Sequence, residues 1–181
     1  WKTPSPNFLL SNSRRGCFAK GLKKRFKVVV RSPNWLGDAV MSVPAIRSMK
    51  RGRPDLELTV LVPSKLAEFW KAVEEVDHVI PIKAGESLFS VAARLRVLAF
   101  DAAVVFPNSL RTGLEVWLAG IPRRVGFAGH ARKSLLNQIC QKPLELSVES
   151  GDGEAEVPLN GHQIYHYLRL AQYFQVMCFM E

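Results

Sequence analysis

The sequence has no long apolar run, and this absence excludes one class of protein at the outset. A membrane-spanning helix needs about 18 or more consecutive apolar residues, whereas the best stretch here, residues 97–106, is interrupted by Asp101. With 48% hydrophobic and 23% charged residues among 181, the composition is that of a globular domain rather than a disordered chain. The length fits one domain with a real core, or at most two small ones.

Cysteine is scarce and forms no recognisable pattern. Cys17, Cys140 and Cys178 are far apart and lack C-x-x-C spacing, which disfavours a disulfide framework and a zinc knuckle. A reducing compartment, the cytoplasm, is the simplest setting. His162 and His166 are four residues apart on a predicted helix, but no third ligand accompanies them, so we predict no metal site.

Familiar nucleotide-binding and catalytic signatures are also missing. No G-x-G-x-x-G motif follows the first predicted strand, and no acidic residue ends the second, which disfavours a dinucleotide-binding domain. G-x-x-x-x-G-K-[ST], G-x-S-x-G and H-E-x-x-H are absent from the sequence. These absences exclude the P-loop, serine-hydrolase and zincin interpretations.

Acidic residues are absent from the first 31 positions, which hold nine of the 25 Lys and Arg residues. The rest of the chain carries sixteen charges of each sign. A nucleic-acid-binding domain is expected to carry its charge on the folded body, so we consider nucleic acid an improbable partner. We interpret residues 1–25 as a basic, flexible leader or a misassigned start. The alternative is a segment that settles on anionic lipid.

What the sequence does contain is an alternation of short apolar runs and helical stretches. Five runs have the length and pattern of buried strands: residues 27–31, 57–62, 79–82, 101–106 and 124–127. Helices are predicted over residues 87–98, 108–119 and 162–174. The alternation predicts an α/β fold with a doubly wound parallel sheet. An acidic stretch at residues 147–156 is expected to be an exposed loop.

Polar segments follow three of the predicted strands, at residues 32–38, 107–111 and 129–133. The carboxyl ends of parallel strands meet at one edge of a sheet, and open α/β proteins bind ligands in the crevice beyond that edge. We therefore expect the three loops to converge on one cleft.

Three motifs in these regions resemble the lipopolysaccharide heptosyltransferase family, most closely its heptosyltransferase II branch. They are RSPNWLGDAVMS at 31–42, PNSLR at 107–111 and AGIPRRVGF at 119–127. The similarity runs from about residue 27 to 174, with matching order and spacing. The leader and the acidic loop are not part of it.

The resemblance implies an inverting glycosyltransferase of the two-domain GT-B architecture, which moves heptose from ADP-heptose to the lipopolysaccharide inner core. It implies that residues 26–160 are the Rossmann-like acceptor-binding half. Residues 161–181 would then lead towards a carboxy-terminal donor domain outside this chain.

No cofactor is expected besides the donor substrate ADP-heptose. The implied partners are the anionic inner-core acceptor and the inner face of the cytoplasmic membrane. The alternative is a non-catalytic binding module, or a truncated product that lacks the donor site.

Asp38 follows the first predicted strand, and the residues alone leave two roles open for it. Inverting transfer needs a base for the acceptor hydroxyl, and a nearby carboxylate offsets charge in an oxocarbenium-like transition state. The other role is helix capping, for which Ser42 competes because Pro44 suits the first turn of a helix that begins there. The resemblance implies the base, whose reactivity we expect to come from positioning.

The candidates for acceptor binding also have structural alternatives. Trp35 stacks on a sugar ring or fills the core. Asn108 and Ser109 cap a helix or help to bind an anion, and Arg111 pairs with Glu115 or binds an anion. The resemblance implies an acceptor with Kdo carboxylates and phosphates, to which arginine forks are suited. The predicted acceptor-binding residues are Asn34, Trp35, Gly37, Asn108, Ser109, Arg111 and Arg132. The expected anion-binding surface extends to Arg123, Arg124, His130 and Lys133.

Overall fold

The structure, a computed structural model, describes residues 25–129, 132–141 and 162–179. Strands and helices alternate along this part of the chain. In order they are β1 (Phe26–Arg31), α1 (Leu36–Gly52), β2 (Leu56–Pro63), a 3-10 turn (Ser64–Leu66), α2 (Ala67–Lys71), β3 (His78–Ile82), α3 (Leu88–Leu98), β4 (Ala102–Val105), α4 (Leu110–Leu118), β5 (Arg123–Phe127), β6 (Gln138–Cys140) and α5 (Gln163–Phe179).

The strands form one parallel sheet in the order β3-β2-β1-β4-β5-β6. From β1 to β3 successive strands are added towards one edge of the sheet, and from β4 onwards towards the other. The boundary between β1 and β4 is therefore the switch point, at which open α/β sheets bind ligands. The predicted α/β fold and each of the five predicted strands are confirmed. Strand β6 was not predicted, because three residues are too few for a periodic pattern.

Helices cover both faces of the sheet, so the central strands are buried on both sides. In β1, Val28 and Val30 belong to the core under α1, α2 and α5, whereas Val29 belongs to the core under α3 and α4. Burial on both faces explains why these strands appear in the sequence as unbroken apolar runs.

Helix α1 begins before both residues that the sequence offers as its cap, Asp38 and Ser42. Trp35 is its N-cap residue, Asp38 lies in its first turn, and Pro44 lies inside it. The alternative that Ser42 caps the helix is wrong, because the N-cap residue is Trp35. Pro44 removes a backbone donor, but the helix continues because one continuous face buries Ala39, Ala45, Ile46 and Met49. Ser42 instead donates its hydroxyl to the Ala39 carbonyl at 2.8 Å.

Helix α5 packs on α1 and on the ends of β4, β5 and β6. Its residues Tyr167, Leu170, Ala171 and Phe174 are buried in the same core as α1. In the described part of the chain α5 is therefore a layer of the domain, and its connection to a second domain stays a prediction. The leader and the acidic stretch at 147–156 lie outside the described residues. Among the helices that are described, none has both the length and the apolar character to cross a membrane.

Candidate functional site

A cleft of about 320 Å³ opens at the carboxyl edge of the sheet, beside the switch point. Its walls come from the loops after β1 and β4, the end of β5 and the first turns of α5. The lining residues are Pro33, Asn34, Trp35, Asp38, Phe106, Pro107, Asn108, Phe127, Gln163, His166 and Tyr167. The contribution of α5 was not predicted from the sequence.

Asp38 is half-buried and lines this cleft from the first turn of α1. No side chain caps α1, because the N-cap residue is Trp35. The Asp38 carboxylate makes no hydrogen bond with any residue that the structure describes. The geometry therefore does not support a capping role, and among the described residues none occupies this carboxylate.

Tyr167 of α5 lines the cleft close enough to Asp38 for the carboxylate to affect the phenol. Burial raises the pKa of Tyr167, and the charge of Asp38 raises it further, whereas a hydrogen bond from Gln163 opposes the increase. Gln163 Nε2 lies 3.2 Å from the Tyr167 hydroxyl oxygen. The phenol consequently stays protonated near neutral pH and provides a polar group next to the carboxylate.

Two buried side chains hold the loop after β1. Trp70 Nε1 donates a 2.9 Å hydrogen bond to Ser32 Oγ. Arg31 donates to the Ser32 carbonyl at 2.6 Å and to Asn34 Oδ1 at 3.2 Å. Arg31 also forms a 2.9 Å ion pair with Glu115, which lies on α4 and is fully buried. The cleft residue Asn34 is thus fixed to the body of the domain.

The loops after β4 and β5 pack directly on one another. Arg132 Nη1 donates to the Pro107 carbonyl at 2.9 Å and to Asn108 Oδ1 at 2.8 Å. A Cβ atom at Gly129 would lie only 2.9 Å from Asn108 Nδ2. With the loop after β1 on the other side of the cleft, the structure brings the three polar loops to one edge of the sheet, as predicted.

Of the predicted site residues, four line the cleft and four do not. Those that line it are Asp38, Asn34, Trp35 and Asn108. Trp35 is 70% exposed, with Lys65 Nζ 4.7 Å from its ring centroid, so the alternative that it fills the core is wrong.

The four predicted residues that do not line the cleft are Gly37, Ser109, Arg111 and Arg132. Gly37 is exposed in the first turn of α1. Ser109 caps α4, since its hydroxyl accepts a hydrogen bond from Thr112 N. Their assignment to acceptor binding stays a prediction.

Arg111 and Arg132 are held by the protein itself. Arg111 Nε lies 3.4 Å from Glu115 Oε1, and its Nη2 donates to the Glu86 carbonyl at 2.7 Å. Arg132 is fully buried, and desolvation lowers the pKa of its guanidinium. This burial was not foreseen, because it depends on contacts between segments that are distant in sequence.

The structure describes three of the four residues to which the sequence extends the expected anion-binding surface. Arg124 donates to the carbonyls of Leu135 and Ile121, and Arg123 lies 5.4 Å from the ring centroid of Phe26. Lys133 is exposed, and His130 lies outside the described residues. Within the described ranges, no group of three His, Cys, Asp or Glu residues could hold a metal ion.

The fold and the cleft define the class of protein: a Rossmann-like α/β domain with a cleft at its switch point and a carboxylate beyond β1. Solved structures of glycosyltransferases share this fold. The Escherichia coli ADP-heptose lps heptosyltransferase II superposes on 80% of this chain and 40% of its own, with a TM-score of 0.62 and 30% identity. A glycosyl transferase family 9 protein from Veillonella parvula superposes on 81% of this chain and 40% of its own, with a TM-score of 0.65 and 16% identity.

Sequence similarity identifies the particular relatives. Over 119 residues the chain is 32% identical to lipopolysaccharide heptosyltransferase 2 of Escherichia coli, a match that covers 62% of this chain and 34% of that protein. Over 118 residues it is 28% identical to lipooligosaccharide heptosyltransferase 2 of Haemophilus ducreyi, with 62% and 34% covered. No protein-family model matches the chain. The chain is thus similar in sequence to lipopolysaccharide and lipooligosaccharide heptosyltransferases 2, and the matches span about a third of these relatives' length.

Proposed function

We propose that this chain is the acceptor-binding half of an inverting glycosyltransferase, which transfers heptose from ADP-heptose to the lipopolysaccharide inner core. The observation that carries the proposal is the position of Asp38 in a homologue of heptosyltransferases. A half-buried carboxylate, without a hydrogen bond to any described residue, lines the cleft at the switch point. The second half of the proposed enzyme would hold most of the nucleotide sugar.

In this mechanism Asp38 acts as the general base. The acceptor hydroxyl oxygen attacks the anomeric carbon of the heptose, and its proton passes to the Asp38 carboxylate. The bond from the anomeric carbon to the phosphate oxygen breaks on the opposite face, and ADP leaves with the electron pair. Configuration at the anomeric carbon is therefore inverted. A positioned base of this kind contributes about 10²- to 10⁴-fold to the rate.

The other cleft residues would hold the acceptor. The exposed face of Trp35 offers a platform for a sugar ring. Asn34 and Asn108 supply polar groups that are already fixed by buried arginines. Lys65, beside Trp35, adds positive charge at the rim for an anionic glycolipid. We place this activity in the cytoplasm, at the inner face of the cytoplasmic membrane.

A chimera tests the proposal. Residues 25–179 of this chain replace the matching part of Escherichia coli lipopolysaccharide heptosyltransferase 2, and transfer from ADP-heptose to an inner-core acceptor is measured. We expect transfer by the chimera and none by the remaining Escherichia coli part alone. A folded chimera that binds ADP-heptose and acceptor but transfers no sugar would support the non-catalytic binding module instead.

A further inference from the structure

Two asparagines in the cleft share an arrangement that fixes the orientation of their amide groups. Asn34 Oδ1 accepts a hydrogen bond from Arg31, and Asn108 Oδ1 accepts one from Arg132. A guanidinium can only donate, so each arginine must contact the amide oxygen. The Nδ2 group is then the end of each amide that remains for a ligand. Within the described part of the chain, neither Nδ2 donates a hydrogen bond.

Both arginines are buried, so the amides cannot turn over without cost. Arg31 is 5% exposed and is held by Glu115. Arg132 is fully buried and lies against two glycines: a Cβ atom at Gly113 would be 3.4 Å from its Nε, and one at Gly126 would be 3.3 Å from its Nη2. Rotating either amide would place an N–H group against a buried guanidinium.

The two arginines that contact the amides differ in whether a carboxylate neutralises them, and the difference favours a negatively charged ligand at Asn108. Arg31 is neutralised by Glu115. Arg132 contacts the oxygens of Pro107 and Asn108, and its Nε and Nη2 atoms have no hydrogen-bond partner among the residues that the structure describes. Among the described residues no carboxylate pairs with Arg132. Its positive charge therefore adds to the potential at Asn108, where low-dielectric surroundings screen it little.

We propose that Asn34 and Asn108 form a pair of oriented N–H donors that binds an oxyanion, a carboxylate or phosphate group of a sugar ligand, and that Arg132 positions Asn108 for it. Carboxylate and phosphate oxygens accept hydrogen bonds only, which matches donors whose own acceptor end is already occupied. This inference rests on the proposed function only for the identity of the complete acceptor molecule. The binding of an oxyanion is a property of this chain alone.

The binding test uses three sugars and the side-chain amide resonances of the full chain in solution NMR. Glucuronate carries a carboxylate, glucose 6-phosphate carries a phosphate, and glucose carries neither. The resonances of the pair are assigned by their loss in Asn34→Asp and Asn108→Asp. We expect both to shift on titration with glucuronate, glucose 6-phosphate or both, and the stronger of the two identifies the preferred group. Equal shifts with glucose, or no shifts with any of the three, would overturn the proposal.

Matched variants separate the donor pair from general charge. Asn108→Asp replaces the donor with a carboxylate, and we expect it to weaken oxyanion binding about tenfold or more. Gln172→Glu makes the same chemical change on the exposed face of α5, outside the cleft, and should leave the Kd unchanged. Equal weakening by the two variants would contradict a role for Asn108 itself.

A double-mutant cycle tests the positioning role of Arg132. Arg132→Lys should weaken oxyanion binding in the natural background but have little further effect when Asn108→Ala is already present. A purely structural role would weaken binding by the same factor in both backgrounds, and that result would overturn the role. Should Arg132→Lys fail to fold, Asn34→Ala with Asn108→Ala still tests the donor pair through the loss of binding. Transfer by the chimera without oxyanion binding would refute only the donor pair, whereas binding without transfer would refute only the proposed activity.

Discussion

Gly129 and Gly37 both lie in loops or turns at the carboxyl edge of the sheet, yet only Gly129 requires the absence of a side chain. Gly129 has a φ of 152°, which side-chain-bearing residues rarely adopt, and a Cβ atom there would meet Asn108. At Gly37 the φ is not positive, and no atom lies within 4 Å of a Cβ position. The close approach at Gly129 allows the loop after β5 to support Asn108.

Gly129→Ala is expected to destabilise the fold and to disturb the cleft. The new methyl group must displace Asn108 or shift the backbone, at a cost of about 1–3 kcal/mol in the free energy of unfolding. Gly37→Ala is the control, and it should stabilise α1 by up to about 1 kcal/mol. Urea denaturation of both variants measures the difference. Equal stability of the two variants would show that Gly129 is not under steric constraint.

At the scale of elements, one ion pair joins the first strand to the helix after the switch point. Glu115 of α4 is fully buried and binds Arg31 at the end of β1. Arg111, one turn before it on α4, reaches the other carboxylate oxygen. This pair therefore ties the loop that carries Asn34 to the helix that begins beside Asn108.

Glu115→Gln should be strongly destabilising, because Arg31 would lose its counter-charge in a buried setting. Breaking a buried pair by removing one partner typically costs about 3–5 kcal/mol. The control is Glu68→Gln on α2, where an exposed pair with Lys71 should contribute less than about 1 kcal/mol. Thermal and denaturant unfolding compare the two. A small effect at Glu115, similar to that at Glu68, would contradict the structural importance assigned to the pair.

The elements also show which parts of the fold the sequence can predict. Val28 to Val30 and Val60 to Val62 appear as continuous apolar runs because both faces of their strands are covered. The start of α1 could not be fixed from the sequence, because Pro44 suits the first turn of a helix that begins later, whereas the buried face of this 17-residue helix extends back to Ala39. Strand β6 forms by pairing with β5, and this long-range pairing leaves no periodic pattern in the local sequence.

At the scale of the whole molecule, the sheet edge that borders the cleft could be predicted from the sequence, whereas the wall formed by α5 could not. The edge follows from parallel strands, so the positions of Asp38 and Asn108 beside one cleft were foreseen. The wall formed by α5 depends on contacts between residues that are distant in sequence, such as the hydrogen bond from Gln175 to the Ser48 carbonyl. Tyr167 was not predicted as a site residue, although it lines the cleft and its phenol is affected by the charge of Asp38.

The same packing places the cleft on one face of the domain. The loops after β1, β4 and β5 lie beyond the carboxyl ends of their strands, and α5 closes the cleft from one side. A second half of the proposed enzyme would bring the nucleotide sugar to this face. Acceptor binding and proton removal would then belong to this chain, and they are separable by experiment.

The rate of heptose transfer by the chimera carrying Asp38→Asn, measured together with its acceptor affinity, tests the central claim most directly. The substitution removes the proposed base but keeps the shape of the side chain. The account predicts a fall of about 10²- to 10⁴-fold in kcat, with acceptor binding retained and with full activity in the control Asp55→Asn, whose carboxylate pairs with Arg53 away from the cleft. Transfer at the unchanged rate by Asp38→Asn would contradict it.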